Sequence, residues 1–403
     1  MLTPSDFRRP KNPIAHHYAR FRVSERLLLT GHSHQAWPDA GFEAQQQAWR
    51  DAAELVDDKW ERAFAQAERV RRGFAGLLDD HPANIALGQN THELVVRFLS
   101  ALPLHQRPRL VTTDAEFHTI RRQLDRLAEE RIDVVKVPSD PADGVAERLC
   151  GAVNDRTAAV LASAVLYTNA HMVPELARVL TACRRVGAEL LVDAYHALNV
   201  VPFRLSAHGL QDAFVTGGGY KYCQLGEGNC FLRVPPGRDL RPVLTGWFAE
   251  FDGLAETGAG VPYGPGATRF AGATYDPTSH YRAAAIFDFF EREGLGVALL
   301  REVSQHQMGV LAQAFDALLL DPAVISRDRT VPPEAIGGFL ALRSPRAGDL
   351  VRLLRREGVL ADHRGELLRV GPAPYLTDDQ LHAAVGAVGR AAKAIAASPV
   401  ASL

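Results

Sequence analysis

From about residue 84 onward, short apolar runs alternate with longer amphipathic stretches along the chain. Runs of about four to eight apolar residues are typical of buried strands, whereas apolar positions with a helical repeat are typical of helices. The pattern predicts strands near residues 85–88, 109–113, 133–138, 158–165, 189–194, 213–218 and 229–234. It predicts helices between them near residues 93–102, 119–130, 143–153 and 174–187. Strands that alternate with helices form a mostly parallel sheet, so we expect a large α/β domain with seven strands.

The rhythm changes after Pro235, where a long Gly- and Pro-rich stretch suggests a functional loop region. Helices are predicted from about 277 to 320, followed by strands near 337–344 and 366–371 and helices near 347–358 and 378–397. This second pattern predicts a small α+β domain. We therefore divide the chain into an N-terminal arm (1–45) that joins the small domain and the site, a large domain (46–276) and a small C-terminal domain (277–403).

Composition narrows the class of protein. The chain has 403 residues, of which 47% are apolar and 23% charged, which is enough to bury a large core. Its net charge of -2 and pI near 6.7 make nucleic acid an unexpected partner. No run approaches the roughly eighteen apolar residues of a membrane span, and the first thirty residues lack the apolar core of a signal peptide. The four cysteines lack metal-ligand spacing, so we expect no metal and a cytoplasmic protein with free thiols.

The segment LVDAYHALNVVPF contains the first candidate for chemistry. A buried strand ends at Asp193, and His196 follows shortly after. Ligands of α/β proteins bind at the carboxyl ends of strands, so a carboxylate at such an end is a candidate site residue. The alternative is that Asp193 only caps the following turn.

A second candidate follows the next apolar run. The segment GGYKYC places Lys221 between Tyr220 and Tyr222 on a glycine-flanked turn. A lone lysine is usually a solvated surface residue, but an acid and a lysine at neighbouring strand ends form the pair that pyridoxal phosphate (PLP) requires. The lysine holds the cofactor as a Schiff base, and the carboxylate of Asp193 keeps the pyridine nitrogen protonated. Such a lysine needs a lowered pKa, which partial burial would supply.

These residues give the sequence a resemblance to class V of the fold-type I PLP enzymes, and within it to kynureninase. The Asp-x-x-His and Tyr-Lys-Tyr motifs of that family are matched by the residues named above, and its phosphate-contacting tryptophan by Trp247. The segment DHRGELLRVGPAPY resembles the C-terminal family motif, in which the arginine matched by Arg369 pairs with the substrate α-carboxylate in a bidentate fork. The resemblance implies the aspartate-aminotransferase fold, PLP as cofactor, and an amino acid as the small-molecule substrate.

Roles are also predicted for other positions, from a helix start for Thr91 and His92 and from the resemblance for the rest. Thr91 and His92 open a helix where a phosphate is favoured, although a plain N-cap there is an alternative. Phe117 matches the aromatic residue that stacks on the pyridine ring, with a simple core position as the alternative. Thr274 matches a phosphate ligand that comes from a neighbouring subunit, which implies a homodimer with sites at the interface. The segment GHSHQAWPD lies where family members contact the substrate, and its candidates are His34 and Trp37.

The predicted reaction is hydrolysis of the β,γ carbon-carbon bond of kynurenine or a related γ-keto amino acid, giving alanine and an aromatic acid. Lys221 would remove the α-proton, Tyr220 would act as a further acid or base, and His196 would tune the network around Asp193. The match weakens at residues 271–277, where the family's loop that recognises the aryl amine is replaced. An aminotransferase, a carbon-sulfur lyase or desulfurase, and a racemase-like enzyme are alternatives on the same scaffold.

Two observations bear on these alternatives. A desulfurase needs a cysteine on a mobile loop, but Cys223 lies too close to Lys221 and Cys230 falls in a strand. A homologue that binds a ligand without catalysis is a further alternative, against which the presence of Asp193, Lys221 and Arg369 argues.

Overall fold

The computed structural model of the chain describes residues 2–254 and 260–397. Its strands are β1 (Leu27–Leu28), β2 (Ile85–Gly88), β3 (Arg109–Thr113), β4 (Asp133–Val137), β5 (Thr157–Ser163), β6 (Glu189–Asp193), β7 (Phe214–Gly218), β8 (Cys230–Arg233), β9 (Ser326–Arg327), β10 (Leu340–Arg343), β11 (Val359–Leu360), β12 (Asp362–Arg364) and β13 (Leu367–Val370). Its α-helices are α1 (Ala40–Leu55), α2 (Lys59–Leu78), α3 (Thr91–Ser100), α4 (His118–Glu129), α5 (Val145–Ala152), α6 (Leu176–Val186), α7 (Leu205–His208), α8 (Thr278–Arg292), α9 (Val297–Ala317), α10 (Ala347–Arg356) and α11 (Asp378–Ala397).

Within the described residues, a seven-stranded sheet in the order β2-β8-β7-β6-β5-β3-β4 forms the centre of the large domain. All its neighbouring pairs are parallel except those of β8, which runs antiparallel to both β2 and β7. Every residue of β5, β6 and β7 is buried, as expected for central strands with both faces covered by helices. The predicted mostly parallel seven-stranded sheet is confirmed, with strand ends within two residues of those expected.

The small domain is built on an antiparallel sheet in the order β12-β13-β10-β9. The N-terminal arm joins it, because β1 pairs in parallel with β11. The helical stretch predicted from 277 to 320 is divided into α8 and α9 by Gly294 and Gly296. The positive φ of Gly294 (69°) explains the break, because only glycine adopts that conformation without strain.

Two long helices were not predicted from the sequence. They are α1 and α2, both of which pack against α8. Among the described helices, none is long and apolar enough to cross a membrane. The division into domains at residues 45 and 276 stays a prediction.

A buried ion pair fixes the antiparallel strand β8 in the main sheet. Arg233 is 2% exposed, and its Nε lies 2.5 Å from Oδ2 of Asp80, which follows α2. Its Nη1 donates to the carbonyl oxygens of Gln211 and Ala213. Because β8 begins at Cys230, this ion pair also fixes the position of Cys230 in the sheet.

We expect Asp80→Ala to lower the free energy of unfolding by about 3–5 kcal/mol, because it leaves the buried Arg233 guanidinium without a counter-charge. Urea unfolding at neutral pH measures this. The matched control is Asp212→Ala, which removes the exposed partner of Arg184 and should cost at most about 1 kcal/mol. Equal losses in the two variants would contradict the assigned role of the buried pair.

Candidate active site

A cavity of about 380 Å³ opens at the carboxyl ends of β6 and β7, where an α/β sheet binds ligands. It brings together residues from four segments that the sequence analysis singled out, those around Thr91, Phe117, Asp193 and Lys221. Its walls include Gln89, Asn90, Thr91, His92, Phe117, Ser163, Tyr167, Asp193, Tyr195, His196, Tyr220, Lys221, Glu227 and Cys230.

Asp193 is the last residue of β6 and is 7% exposed. One of its carboxylate oxygens accepts a hydrogen bond of 2.9 Å from the backbone N–H of Tyr195, so the turn after the strand holds the carboxylate in place. Burial raises the pKa of Asp193, an effect opposed by that hydrogen bond and by the charge of Lys221. Asp193 therefore both caps the turn after β6 and lines the cavity.

The Tyr195 ring lies against the end of β7, where only glycine fits at position 218. A Cβ atom on Gly218 would stand 2.4 Å from the Tyr195 hydroxyl oxygen and 2.6 Å from the sulfur of Cys230. No side chain fits in that space. The glycine run before the lysine thus allows an aromatic ring to form the wall of the cavity.

Lys221 lies on the loop between β7 and β8, which the N-terminal arm braces. Gln224 is fully buried; its side-chain amide donates to Gln35 and its carbonyl oxygen accepts from the hydroxyl of Tyr18. The backbone N–H of Gln35 also donates to the carbonyl oxygen of Tyr220, at 3.4 Å. Two arm residues therefore hold the loop on either side of the lysine.

The amine of Lys221 is enclosed by aromatic rings. Its Nζ lies 4.5 Å from the ring centroid of Tyr195, 5.1 Å from that of Phe117 and 5.7 Å from that of Tyr220. Burial lowers the pKa of Lys221 to about 7; the charge of Asp193 opposes this shift, and positive charges on the small domain add to it. Near neutral pH a large fraction of the amine is therefore unprotonated and nucleophilic.

His196 lies 2.8 Å from this amine, measured from Nε2 to Nζ. Burial, and then the charge of Lys221, lower the pKa of His196 well below its usual value, so the ring is neutral. A neutral ring that accepts at Nε2 carries its proton on Nδ1, and this buried atom has no partner among the described residues. Burial raises the pKa of the neighbouring Tyr220 phenol to about 12, so Tyr220 is a proton donor at neutral pH.

The N-terminus of α3 forms another wall of the cavity. Asn90 is its N-cap, with a side-chain oxygen that accepts from the backbone N–H of Glu93. Thr91 is buried and its hydroxyl donates to the sulfur of Cys230, at 3.6 Å. His92 is exposed at the rim. The plain cap is therefore Asn90, and Thr91, which follows it, lines the cavity, while its contact with a phosphate stays a prediction.

Phe117 is held over the cavity by a buried acid that the sequence did not single out. The Glu116 carboxylate is 1% exposed and accepts from the hydroxyl of Thr113 at 2.7 Å, and from the hydroxyl and backbone N–H of Ser163 at 2.6 and 3.2 Å. Ser163 pairs with Asp193 in the sheet register. Glu116 therefore connects the loop that carries Phe117 to the strand beside Asp193.

Several predicted site residues do not line this cavity in the single chain. Trp37 packs on Arg282, whose guanidinium carbon lies 4.5 Å from the ring centroid. Trp247 is 41% exposed on a short 3-10 helix, and Thr274 lines a separate cavity of about 1020 Å³. His34 is exposed but lies near the rim, because its ring stacks on Tyr220 with centroids 4.9 Å apart.

Arg369 is 3% exposed on β13 and does not line the cavity directly. Its Nε and Nη2 lie 2.8 and 2.5 Å from the two carboxylate oxygens of Asp362, and its Nη1 donates to the carbonyl oxygen of Tyr167 at 2.5 Å. The predicted fork is therefore present, but in this structure an acid of the chain itself binds to it.

Other residues of the site were also missed. Tyr195 and Tyr167 line the cavity, Asp362 binds Arg369, and Arg364 lies 3.5 Å from Asp362. Asp362 and Arg364 fall within the C-terminal motif, so the period of two along a strand could have placed them on the same face as each other. Tyr167 follows β5, and its position after a strand end was the only available signal.

Comparison with known proteins agrees with the fold. No protein-family model matches the chain. It is 25% identical over 354 residues to an uncharacterized aminotransferase, YcbU, of Bacillus subtilis, covering 87% of this chain and 90% of that protein. It is 27% identical over 352 residues to isopenicillin N epimerase of Streptomyces clavuligerus, covering 82% and 85% respectively.

Among solved structures, the chain superposes on a mutant of the cystine C-S lyase C-DES with glycine covalently linked to its PLP cofactor. The TM-score is 0.81 at 16% identity, over 94% of this chain and 99% of that one. The apo cysteine desulfurase of Thermococcus onnurineus NA1 superposes with a TM-score of 0.78 at 16% identity, over 98% and 99%. The chain thus has the fold of the fold-type I PLP-dependent enzymes, as the resemblance implied.

The buried Glu116 gives a pH-dependent stability that can be measured. Burial raises its pKa to about 7 against the lowering effect of its hydroxyl partners. A carboxyl whose pKa is raised in the folded state stabilises the fold at low pH, and this contribution is lost as the pH rises from about 4.5 to 7. The free energy of unfolding of Glu116→Gln, taken relative to that of wild type, should therefore be higher at pH 8 than at pH 4.5 by on the order of 3 kcal/mol.

Urea unfolding at both pH values measures the effect. Glu129→Gln, on the exposed end of α4, is the matched control. If the Glu116→Gln and wild-type stabilities differed by the same amount at both pH values, Glu116 would not be a buried titrating group.

Proposed function

We propose that this chain is a PLP-dependent enzyme of the class V aminotransferase type that acts at Cα of an α-amino acid. The observation that carries the proposal is the buried amine of Lys221, whose pKa is lowered to about 7 beside Asp193 in a cavity at the strand ends. The fold is the one on which PLP enzymes with this arrangement are built, and the two curated relatives are named an aminotransferase and isopenicillin N epimerase.

The cavity residues fit PLP. Phe117 presents a ring face 5.1 Å from Nζ, where a flat pyridine ring can be stacked. The buried Asp193 carboxylate is suited to a protonated ring nitrogen, because a buried anion favours a cation beside it. The Nδ1 proton of His196 is an unused donor in the wall. The N-terminus of α3, at Thr91, is suited to the phosphate group.

Each residue then has a defined task. When bound, PLP supplies an electron sink that makes the Cα proton of the substrate acidic. Lys221 would hold the cofactor, and its unprotonated amine is the group that would take the Cα proton. Asp193 keeps the charge of the ring nitrogen in place. Tyr220 remains protonated near the amine and can give a proton to a leaving group or carbonyl oxygen.

Several reactions can follow removal of that proton. Transamination and carbon-sulfur cleavage are favoured, because one curated relative is named an aminotransferase and C-DES is a cystine C-S lyase. A desulfurase that uses a cysteine nucleophile is disfavoured: Cys230, the one cysteine that the structure places in the described walls of the cavity, is buried, and burial raises its thiol pKa. Hydrolysis of kynurenine is the second candidate, supported by the Asp-x-x-His, Tyr-Lys-Tyr and ArgValGlyProAlaProTyr motifs.

We also propose that the enzyme is a homodimer to which the segment around Thr274 contributes across the interface. Thr274 is exposed and does not line the cavity that holds Lys221; it lines a neighbouring cavity, and Gln89 belongs to the walls of both. Large apolar side chains are exposed along the preceding stretch, as is common at protein interfaces; they are Val243, Leu244, Trp247, Phe251, Leu254 and Val261.

We expect protein purified with added PLP to be yellow, and Lys221→Ala to lose the Schiff-base absorption. The matched control is Lys393→Ala, which changes an exposed lysine on α11 and should leave the colour intact. Colourless wild-type protein that cannot be reconstituted with PLP would overturn the proposal.

The products then distinguish the reactions. Incubation with an amino-acid panel and a keto acid should give a new keto acid by transamination, while cystine should give pyruvate by carbon-sulfur cleavage. Kynurenine should give anthranilate, with its fluorescence, only if the hydrolytic candidate is correct. Each activity should fall below detection in Lys221→Ala.

For the dimer, light scattering should give a mass of two chains for wild type. Phe251→Asp should shift the mass toward one chain, because it places a charge in the exposed apolar stretch. Leu319→Asp, at a side chain that is 90% exposed elsewhere, is the control and should remain dimeric. A monomeric wild type would contradict the proposed interface.

A further inference from the structure

A second cavity, of about 630 Å³, adjoins the one that holds Lys221. Its walls come from residues between 140 and 210 of the large domain and from residues between 328 and 335 of the small domain. Val165 lines both cavities, so they meet at the loop after β5. A cavity of this size between two domains is a common form of ligand site. We call it the seam cavity.

Most of the lining of the seam cavity is apolar. The buried apolar residues in it include Val165, Val173, Leu176, Val201, Phe203 and Leu210. These side chains come from several segments of the large domain and together offer a surface to an aliphatic or aromatic group. The occupant is therefore expected to have an apolar body.

The charges of the seam cavity have one sign. Among the described residues that line it there is no lysine or arginine, and the acids are Asp140, Asp143, Glu175 and Asp328. Glu175 is paired with Arg178. The two arginines on either side of Asp328 in the sequence both pair with Asp316 instead. A cleft lined by one sign of charge concentrates ions of the opposite sign, so the seam cavity favours a cation.

His171 presents a polar group to this cavity, although the residue is only 8% exposed. The side-chain oxygen of Asn169 accepts from the backbone N–H of His171 at 3.0 Å, so the Asn169 amide nitrogen is the atom that donates to Nδ1 of His171, at 3.2 Å. Burial lowers the pKa of His171, against the charges of Asp328 and Asp140. The ring is therefore neutral near pH 7 and carries its proton on Nε2.

This Nε2–H group has no hydrogen-bond partner among the described residues. Oδ2 of Asp328 lies 4.0 Å from Nε2, which is too far for a hydrogen bond. The other oxygen of Asp328 accepts from the backbone N–H and the hydroxyl of Thr330, at 2.7 and 2.6 Å, which holds the carboxylate in place. A ligand hydroxyl beside both side chains would accept from Nε2 and donate to Oδ2. Such a contact is stabilising, because an enclosed donor without a partner is unfavourable.

We propose that the seam cavity is a second ligand site, which binds an aryl amino alcohol: an organic cation with an apolar body and a hydroxyl group next to its ammonium group. The apolar lining takes the ring, the three unpaired carboxylates attract the cation, and His171 and Asp328 bind the hydroxyl. The inference goes beyond the proposed function and does not depend on it, because Lys221 takes no part in the site. The bound ligand would join the loop after β5 to the small domain.

Calorimetric titration of the purified protein with N,N-dimethylphenylethanolamine tests the assignment. This tertiary amine cannot form a Schiff base, so its binding does not report on PLP. We expect saturable binding to a single site per chain. Phenylethylene glycol, which lacks the charge, should bind more weakly, and mandelate, in which an anion replaces the cation, should not bind measurably. N,N-dimethylphenethylamine, which lacks only the hydroxyl, should bind more weakly by about 3- to 10-fold.

Two variants locate the ligand. His171→Phe should weaken binding of the amino alcohol by about 3- to 10-fold and leave binding of the amine without a hydroxyl unchanged, because only the hydroxyl contact is lost. Asp328→Asn should weaken binding of both cations by about 5-fold, because one partly exposed charge is removed. Asp321→Asn is the matched control: Asp321 also accepts a backbone N–H two residues further on, from Ala323, but does not line the cavity. It should bind as wild type does.

The assignment would be overturned if the amino alcohol did not bind at millimolar concentration, which would mean that the seam cavity holds water only. Glycol or mandelate that bound as tightly as the amino alcohol would overturn the role of the carboxylates. Equal losses for both cations in His171→Phe would overturn the role of Nε2 as a donor. Unchanged affinity in both His171→Phe and Asp328→Asn would place the ligand elsewhere. Each of these results would leave the proposed function standing.

Discussion

The enclosure of one primary amine is the constraint on which the rest of the site depends. Lys221 can be a nucleophile near neutral pH because it is only 5% exposed, and this loss of contact with water disfavours its charged form. Burying an amine is unfavourable unless a partner accepts its protons, and neutral His196 does so at 2.8 Å. The charge of Asp193 opposes this lowering, so the pKa of Lys221 stays near 7.

This enclosure draws on every layer of the fold. The parallel strands β6 and β7 end side by side and bring the acid and the lysine loop together. The arm supplies Gln35 and Tyr18, which hold Gln224 of that loop. The small sheet supplies positive charge from a distance. Residues of the arm, the large domain and the small domain therefore all contribute to the site, each by a different interaction.

The sequence predicted the strands and the central trio of the site for the same reason. Asp193 ends β6, and His196 and Lys221 follow the ends of β6 and β7, which as neighbouring parallel strands end at the same edge of the sheet. It could not predict Glu116, because glutamate is usually exposed and its burial depends on Ser163, which lies 47 residues away on another strand. Nor could it show that Asp362 binds the fork of Arg369, since that depends on the register of β12 against β13. Trp37 was placed near the substrate from its segment alone, and a segment does not fix which way a side chain points.

The contact between Tyr195 and Gly218 limits how this protein can diverge. A Cβ atom at position 218 would overlap both the Tyr195 hydroxyl and the Cys230 sulfur, so the three positions constrain one another sterically. A substitution to alanine at 218 becomes tolerable only when positions 195 and 230 both make room, and a smaller side chain at 195 would remove one of the rings that enclose the amine. Directed evolution of the enzyme should therefore vary the three codons together, because single-site libraries would miss every compatible combination.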